Sequence, residues 1–122
     1  LDRIMSIEKT DEHFSLPDNF NAENYFHDCY GIVNDENLKP EIMRLKVSAK
    51  QSNYLRDLPL HHSQKETERN DEFSIYEYRL KPTYDFIQEI MKYGSQIEVL
   101  SPVDFRNELS SMIEEALDAY PI

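Results

Sequence analysis

The last third of the chain changes between strand-like and helix-like segments with almost no residues between them, and this spacing constrains the fold most. A strand ending near residue 80, a helix over 84–93, a short strand at 97–100 and a helix over 103–119 follow one another directly. Gly94 stands where a left-handed residue ends a helix. The pattern predicts a small α+β domain.

Both helices of this part are amphipathic. The first turns Phe86, Ile87, Ile90 and Met91 to one side. Before the second, residues 101–104 read Ser-Pro-Val-Asp, which predicts a capping box with proline at the first helical position. The second helix carries its apolar residues at helical spacing: Phe105, Leu109, Met112, Ile113, Ala116 and Leu117.

The middle third begins with strict alternation over residues 41–49, which predicts a half-buried strand. Arg44, Lys46 and Ser48 point one way, and the inward set is Met43, Leu45, Val47 and Ala49. A helix over 50–58 follows, and Pro59 ends it. We expect its inner side to carry Tyr54, Leu55 and Leu58. The polar residues 63–69 suit an edge strand, residues 70–72 a turn and residues 73–81 a further strand.

From residue 41 onward the predicted order is β-α-β-β-α-β plus a final helix, which is a ferredoxin-like arrangement. Right-handed crossovers place both helices on one face of a four-stranded antiparallel sheet. The other face is left open, and it includes Arg44, Lys46 and Arg79 together with Ile75, Glu77 and Glu98.

The first 38 residues read as a separate, less regular piece. Residues 1–7 predict a strand that begins without a methionine, as in a fragment of a longer protein. Asn21 can cap a short helix through Cys29, with Tyr25 and Phe26 inward and Gly31 at its end. A polar linker closes at Lys39-Pro40, so we place a domain boundary between residues 38 and 39 and treat 39–122 as the second unit. Residues 1–8 are expected to pair with another chain or to lie on the second unit.

Charge is uneven along the chain, which has a formal net charge of −11. Residues 1–40 hold nine acids and three bases, residues 83–122 hold eight acids and two bases, and residues 41–82 hold seven acids and eight bases. The acidic excess argues against non-specific polyanion binding by the whole chain. A local basic face in the middle third remains open, beside the alternative of solvated strand and helix edges.

Several function classes lack the residues they need. The chain has two glycines, so it has no glycine-rich phosphate loop, and it has no Cys/His ligand set for a metal. His61 and His62 are adjacent, so in an extended segment their side chains point apart and do not easily share a metal. We expect them to lie in a turn or loop. Cys29 is the single cysteine, so the chain can form no internal disulfide. We expect it to be a small buried side chain in a protein of the reducing cytoplasm. No apolar run approaches the ~20 residues of a membrane span, and no cofactor is expected.

The residues also resemble a known family. Leu-Asp-Arg-Ile at 1–4, Tyr25-Phe26 and Tyr30-Gly31-Ile32 are similar to the end of a WYL domain, a small Sm-like β-barrel of bacterial transcriptional regulators. Residues 41–117 resemble the C-terminal extension that follows it, called WCX. The matching segments are Met-Arg-Leu-Lys-Val at 43–47, Pro-Leu-His-His-Ser-Gln at 59–64, Tyr-Arg-Leu at 78–80, Tyr-Gly at 93–94, Ile-Glu-Val-Leu-Ser-Pro at 97–102 and Phe-Arg at 105–106.

The resemblance implies a regulatory fragment without enzymatic activity, which senses an effector, forms dimers or does both. In that family DNA is bound by an N-terminal helix-turn-helix, which this chain does not include. The effector of some members is single-stranded DNA or a nucleotide-like molecule. Arg3 matches an arginine of the family's WYL pocket.

Three other functions stay open at this point. A ferredoxin-like module for a small metabolite would need a glycine turn after the first strand, where the chain has Ser48-Ala49-Lys50. An acylphosphatase-like hydrolase would need a phosphate-cradling helix start, for which Lys50-Gln51-Ser52 is a poor match. An RNA-binding sheet face could use interleaved aromatic and basic residues, but the strong strand motif of that class is missing.

Two expectations concern partners. An unpaired strand and an open sheet face favour self-association, so we expect a homodimer. If the chain contacts a nucleic acid or another anionic ligand, we expect Arg44, Lys46 and Arg79 to make the contacts, since these residues share the open face. The competing interpretation pairs them with Glu77 and Glu98 and gives them a structural role.

Overall fold

The computed structural model describes residues 3–121, and its centre is a four-stranded antiparallel sheet of order β2-β3-β1-β4. The strands are β1 (Glu41–Ser48), β2 (Lys65–Arg69), β3 (Phe73–Leu80) and β4 (Ile97–Ser101). The helices are α1 (Ala22–Tyr25), α2 (Ala49–Asp57), α3 (Tyr84–Lys92) and α4 (Val103–Asp118), with a 3-10 turn at Gly94–Gln96. The ferredoxin-like α+β prediction is confirmed.

The core lies on one face of the sheet because each central strand buries alternate side chains. β1 contributes Met43, Leu45 and Val47, which have no exposed surface. The helices cover these strands with Leu55, Phe86, Ile87, Ile90, Phe105 and Leu109. Phe86 and Phe105 stack with ring centroids 5.9 Å apart, which joins α3 to α4. The predicted inward sets of β1 and α3 are therefore confirmed, except that Ala49 begins α2 and Met91 is half-buried.

Local details differ from expectation in α2 and at the start of α4. Tyr54 and Leu58, expected inside, are 60% and 79% exposed, whereas Leu55 is buried as expected and α2 also buries Ser52. Ser101 does not cap α4, because it is still paired in β4, and Pro102 takes the N-cap position without a side-chain hydrogen bond. Gly94 does adopt the expected left-handed conformation, with φ of 56°.

The outer part of α4 is also more exposed than its apolar spacing predicts. Phe105 and Leu109 are buried and Met112 packs partly against the core. Ile113 and Leu117 are 52% and 56% exposed. The helix therefore anchors the fold through its first half.

The strand expected over residues 1–7 is wrong for residues 3–7, which form no strand, and residues 1 and 2 lie outside the described part. All of residues 3–20 are exposed. The helix capped by Asn21 is confirmed but ends at Tyr25, well before Gly31, and Tyr25 is 41% exposed rather than turned inward.

Residues 26–35, in contrast, pack on the sheet and α3. Cys29 is buried, as expected, and Tyr30 contacts Phe86 with ring centroids 5.6 Å apart. The backbone N–H of Lys81 donates to the carbonyl of Asp28 at 2.7 Å, and its ammonium donates to Asn34 at 2.6 Å. This segment thus forms part of the folded body, and the division between residues 38 and 39 stays a prediction.

Candidate functional site

The open face of the sheet carries the basic residues that the sequence singled out. The register pairs Arg44 with Glu77, and Ile42 with Arg79, between β1 and β3. Paired residues in antiparallel strands share a face, and the next residue but one returns to it. Arg44 and Arg79 are therefore diagonal neighbours on this face, and Lys46 follows Arg44 along β1.

Lys46 lies at the β4 side of the face, where three kinds of side chain meet. It is opposite Ile75 on β3 and Glu98 on β4. Its ammonium lies 4.5 Å from the centroid of the Phe73 ring, within cation–π range. A small concavity of about 260 Å³ opens there between Lys46, Phe73 and Glu98. The site therefore offers a cation, a carboxylate and an aromatic surface together.

The three basic residues differ in how they are paired. Arg79 is held by Asp28 at 3.1 Å, from the segment that precedes the sheet. Within residues 3–121 no carboxylate oxygen lies within 4.0 Å of the side-chain nitrogens of Arg44 or Lys46. Glu98, the neighbour of Lys46, is instead bound by Arg106 of α4 at 2.7 Å. The expected pairing of the face's own acids with its bases is thus absent for these two residues in the described part.

Arg3 is not brought to this face by any contact of the described residues. It lies in the exposed N-terminal segment, and no hydrogen bond or ion pair within residues 3–121 joins it to Arg44, Lys46 or Arg79. The four residues expected to bind a ligand therefore form one group of three and one separate residue.

The charge of the open face differs from that of the rest of the chain. Its bases are Arg44, Lys46, Lys65 and Arg79, and its acids are Glu68, Glu77 and Glu98. Four bases against three acids give the face a net charge of +1, so the rest of the chain carries −12 and the two together make −11. An anion or an acidic neighbour is repelled less here than by the chain as a whole.

Beside Arg79, the loop before β2 joins the N-terminal segment through histidines. The carbonyl of His27 accepts hydrogen bonds from Nε2 of His61 at 3.1 Å and from Nε2 of His62 at 2.6 Å. The rings of His61 and His62 lie 4.0 Å apart. The expectation that they point apart is wrong, because the chain turns here and both rings donate to the same carbonyl.

Ser63 links this cluster to β3. Ser63 donates to Nδ1 of His61 at 2.7 Å and accepts from the backbone N–H of Arg79 at 2.9 Å. Burial lowers the pKa of His61, and the neighbouring His62 lowers it further. In the part of the chain that the structure describes, no group of three or more His, Cys, Asp or Glu residues could hold a metal ion.

Gln64 is a residue whose role the sequence did not reveal. Its Oε1 accepts from the buried hydroxyl of Tyr78 at 2.6 Å and from the backbone N–H of Leu60 at 3.1 Å. Its Nε2 donates to the carbonyl of Leu55 at 2.8 Å. The segment at 59–64 thus connects α2, β3 and the N-terminal segment, and only its position in the resemblance singled it out.

The comparison with protein families agrees with this architecture. Residues 39–117 match the family model of the WCX domain, so the chain belongs to the WCX family. This domain is the C-terminal extension of WYL-type regulators, a regulatory family and not an enzyme family. Among the curated proteins no match was found. Within residues 3–121, the helices are all too short or too polar to cross a membrane.

Proposed function

We propose that the chain serves as the effector-sensing and dimerisation module of a WYL-type transcriptional regulator, and that the open face of the sheet is its contact surface. The observation that carries this proposal is the near-neutral charge of a face on an otherwise strongly acidic chain. The family membership of residues 39–117 supports a regulatory role.

A second copy of the chain is the first partner that this face fits. Basic and acidic side chains alternate across the strands, as in the rows that pair Arg44 with Glu77 and Lys46 with Glu98. Because a two-fold interface brings the same patch against itself, it needs both signs of charge in one patch. Ile42, which is 48% exposed, and the half-buried Phe73 supply apolar area.

An anionic effector is the second candidate, favoured by one specific observation. Arg44 and Lys46 have no carboxylate partner within 4.0 Å among residues 3–121, so their charges are available for phosphate. Phe73 beside Lys46 offers a ring on which a base could stack. A single-stranded nucleic acid or a nucleotide-like molecule has both chemical groups.

The experiment that tests the proposal measures both partners on the full-length regulator, whose DNA-binding domain we expect to precede this region. A short single-stranded oligonucleotide is titrated against wild type and against Arg44→Ala plus Arg79→Ala at several salt concentrations. For every side chain that bonds a phosphate in the wild type, its removal should lower the log–log salt slope by roughly one unit. Lys9→Ala is the control, since Lys9 is an exposed base outside the sheet.

Each outcome separates the two candidates. A weaker affinity and a smaller slope for the double variant alone support the effector. Unchanged oligonucleotide binding together with a weakened dimer, measured by sedimentation, supports a second copy of the chain as the partner of the face. If neither oligonucleotide affinity nor the dimerisation constant changes, the open face is not the contact surface and the proposal is wrong.

A further inference from the structure

A larger cavity lies away from the open face, between α2 and the turn that joins β2 to β3. Its volume is about 530 Å³. Most of the side chains around it can donate hydrogen bonds: Lys50, Asn53, Arg56, Arg69 and Asn70, with Asp71 as the acidic one. Neither the sequence patterns nor the WCX family match of the chain accounts for this arrangement.

The two amides of the cavity have their oxygens engaged within the protein. Oδ1 of Asn53 accepts from Nη1 of Arg56 at 2.8 Å. Oδ1 of Asn70 accepts from the backbone N–H groups of Glu72 at 2.8 Å and Phe73 at 2.9 Å. An amide has one acceptor oxygen and one NH₂ donor group, so the part left for a ligand is the donor.

Arg56 forms a fixed wall of the same cavity. Its Nε and Nη2 donate to the two carboxylate oxygens of Glu66 at 3.1 and 2.7 Å, and Nη2 also donates to Ser74 at 3.2 Å. With the bond from Nη1 to Asn53, four of the five N–H groups that a guanidinium carries are used. One N–H on Nη1 remains, in a geometry that the ion pair holds in place.

Lys50 and Arg69 supply the positive charge of the cavity. Both side chains are exposed, and within residues 3–121 no carboxylate oxygen lies within 4.0 Å of their side-chain nitrogens. Because Glu66 neutralises Arg56, the lining has two uncompensated bases against Asp71 alone. A ligand that enters the cavity would therefore find several donors and one acidic group.

We propose that this cavity binds a small molecule through a phosphate monoester group. Such a group is a dianion with three acceptor oxygens, and it matches the two cations and the two amide NH₂ groups of the lining. The volume lies within the range of small-ligand sites, roughly 300–1,000 Å³. This site is independent of the open face, because Lys50 and Asn53 belong to α2, on the other side of the sheet.

The test is a titration of the ¹⁵N-labelled 122-residue chain at low salt, followed by amide chemical shifts. Inorganic phosphate, ribose 5-phosphate and acetate are the three probes. We expect saturable shifts at residues 49–53 and 69–71 with the two phosphates and at least tenfold weaker binding of acetate. Equal affinity for both phosphates assigns the site to the phosphate group alone, and tighter binding of ribose 5-phosphate shows that the rest of the cavity contacts the sugar.

Variants locate the binding. Lys50→Gln and Arg69→Gln should each weaken phosphate binding about tenfold, the usual effect of losing a hydrogen bond to a charged group. Asp71→Asn should tighten it, since it removes the one repelling carboxylate. Arg44→Gln, on the open face, should have no effect.

Several results would overturn the proposal. They are shifts that do not saturate or that spread over all basic residues, binding by the Lys50 and Arg69 variants equal to wild type, and acetate binding as tight as phosphate. Loss of binding in Arg44→Gln alone would move the anion to the open face, which also contradicts the assignment. Because all of the substituted side chains are exposed, circular dichroism should show the variants folded.

Discussion

Gln64 provides the sharpest prediction about how this fold is held together. Its side chain bonds the hydroxyl of Tyr78, the N–H of Leu60 and the carbonyl of Leu55. The Leu55 carbonyl belongs to the last turn of α2, whose carbonyls have no partner inside the helix. One amide therefore satisfies a helix end, a loop and a buried hydroxyl together.

The expected cost of removing this amide follows from the burial of its partners. Gln64→Leu leaves the Tyr78 hydroxyl without a partner, and Tyr78 has no exposed surface. An unsatisfied buried group costs about 1–3 kcal/mol, and each hydrogen bond removed costs about 1 kcal/mol. We expect Gln64→Leu to lower the free energy of unfolding by about 2–4 kcal/mol. Tyr78→Phe should cost only about 1 kcal/mol, because Gln64 keeps its other two partners.

The measurement is urea unfolding at pH 7, followed by circular dichroism, for the two single variants and the double variant. The double variant should be more stable than the sum of the single effects predicts, since it no longer buries an unpaired hydroxyl. Gln88→Leu is the matched control, because Gln88 is exposed on α3, and it should stay within about 0.5 kcal/mol of wild type. A Gln64→Leu variant as stable as the control, or strictly additive effects, would refute this reasoning.

Three further predictions test the core, a turn and an ion pair by the same unfolding assay. Phe105→Ala should cost about 3–5 kcal/mol, because the ring is buried against Phe86, and a loss below about 1 kcal/mol would contradict this packing. Gly94→Ala should cost about 1 kcal/mol through its positive φ alone, since a Cβ there meets no atom within 4 Å, and an unchanged stability would argue against the left-handed conformation. The hydrogen bond from Arg56 lowers the pKa of Glu66 to about 2 from 4.5, so the stability advantage over Glu66→Gln should be full above about pH 5 and shrink as the pH falls towards 2. An advantage that grows on acidification would have the wrong sign.

The sheet could be predicted because burial on one face imposes a period of two. In β1, alternation alone identified Met43, Leu45 and Val47 as core residues and Arg44 and Lys46 as residues of the open face. Pairing of β1 with β3 then followed from the ferredoxin-like order. Pattern and packing agree here because a shift of one residue would expose every core side chain.

Predictions failed where tertiary contacts decide against a local signal. Ser101 has the sequence signature of a helix cap, but strand pairing with β1 keeps it in β4. Leu58 has the spacing of an inward residue, yet α2 ends at Asp57 and the chain turns away. Residues 3–7 have strand-like composition, but in the described residues no neighbouring strand pairs with them. The first two failures concern ends of elements, where the period gives least information, and the third a segment that finds no strand to pair with among the described residues.

The candidate sites show the same division between local pattern and distant contact. The shared face of Arg44, Lys46 and Arg79 was predictable from alternation, because it depends only on register. The ion pair between Arg79 and Asp28 was not, because 51 positions separate the partners. The anion-binding cavity was also hidden, since Lys50 and Arg69 come together only when α2 packs over the β2–β3 hairpin.

Sedimentation equilibrium of the 122-residue chain tests the central claim, that the open face is a contact surface, most directly. The account predicts a concentration-dependent dimer for wild type and a dissociation constant at least tenfold weaker for Arg44→Glu, which places a like charge beside Glu77. Lys9→Glu, which changes the net charge equally at an exposed site outside the sheet, should dimerise like wild type. A wild-type chain that stays monomeric at high concentration, or a dimer that Arg44→Glu leaves unchanged, would contradict dimerisation through the open face.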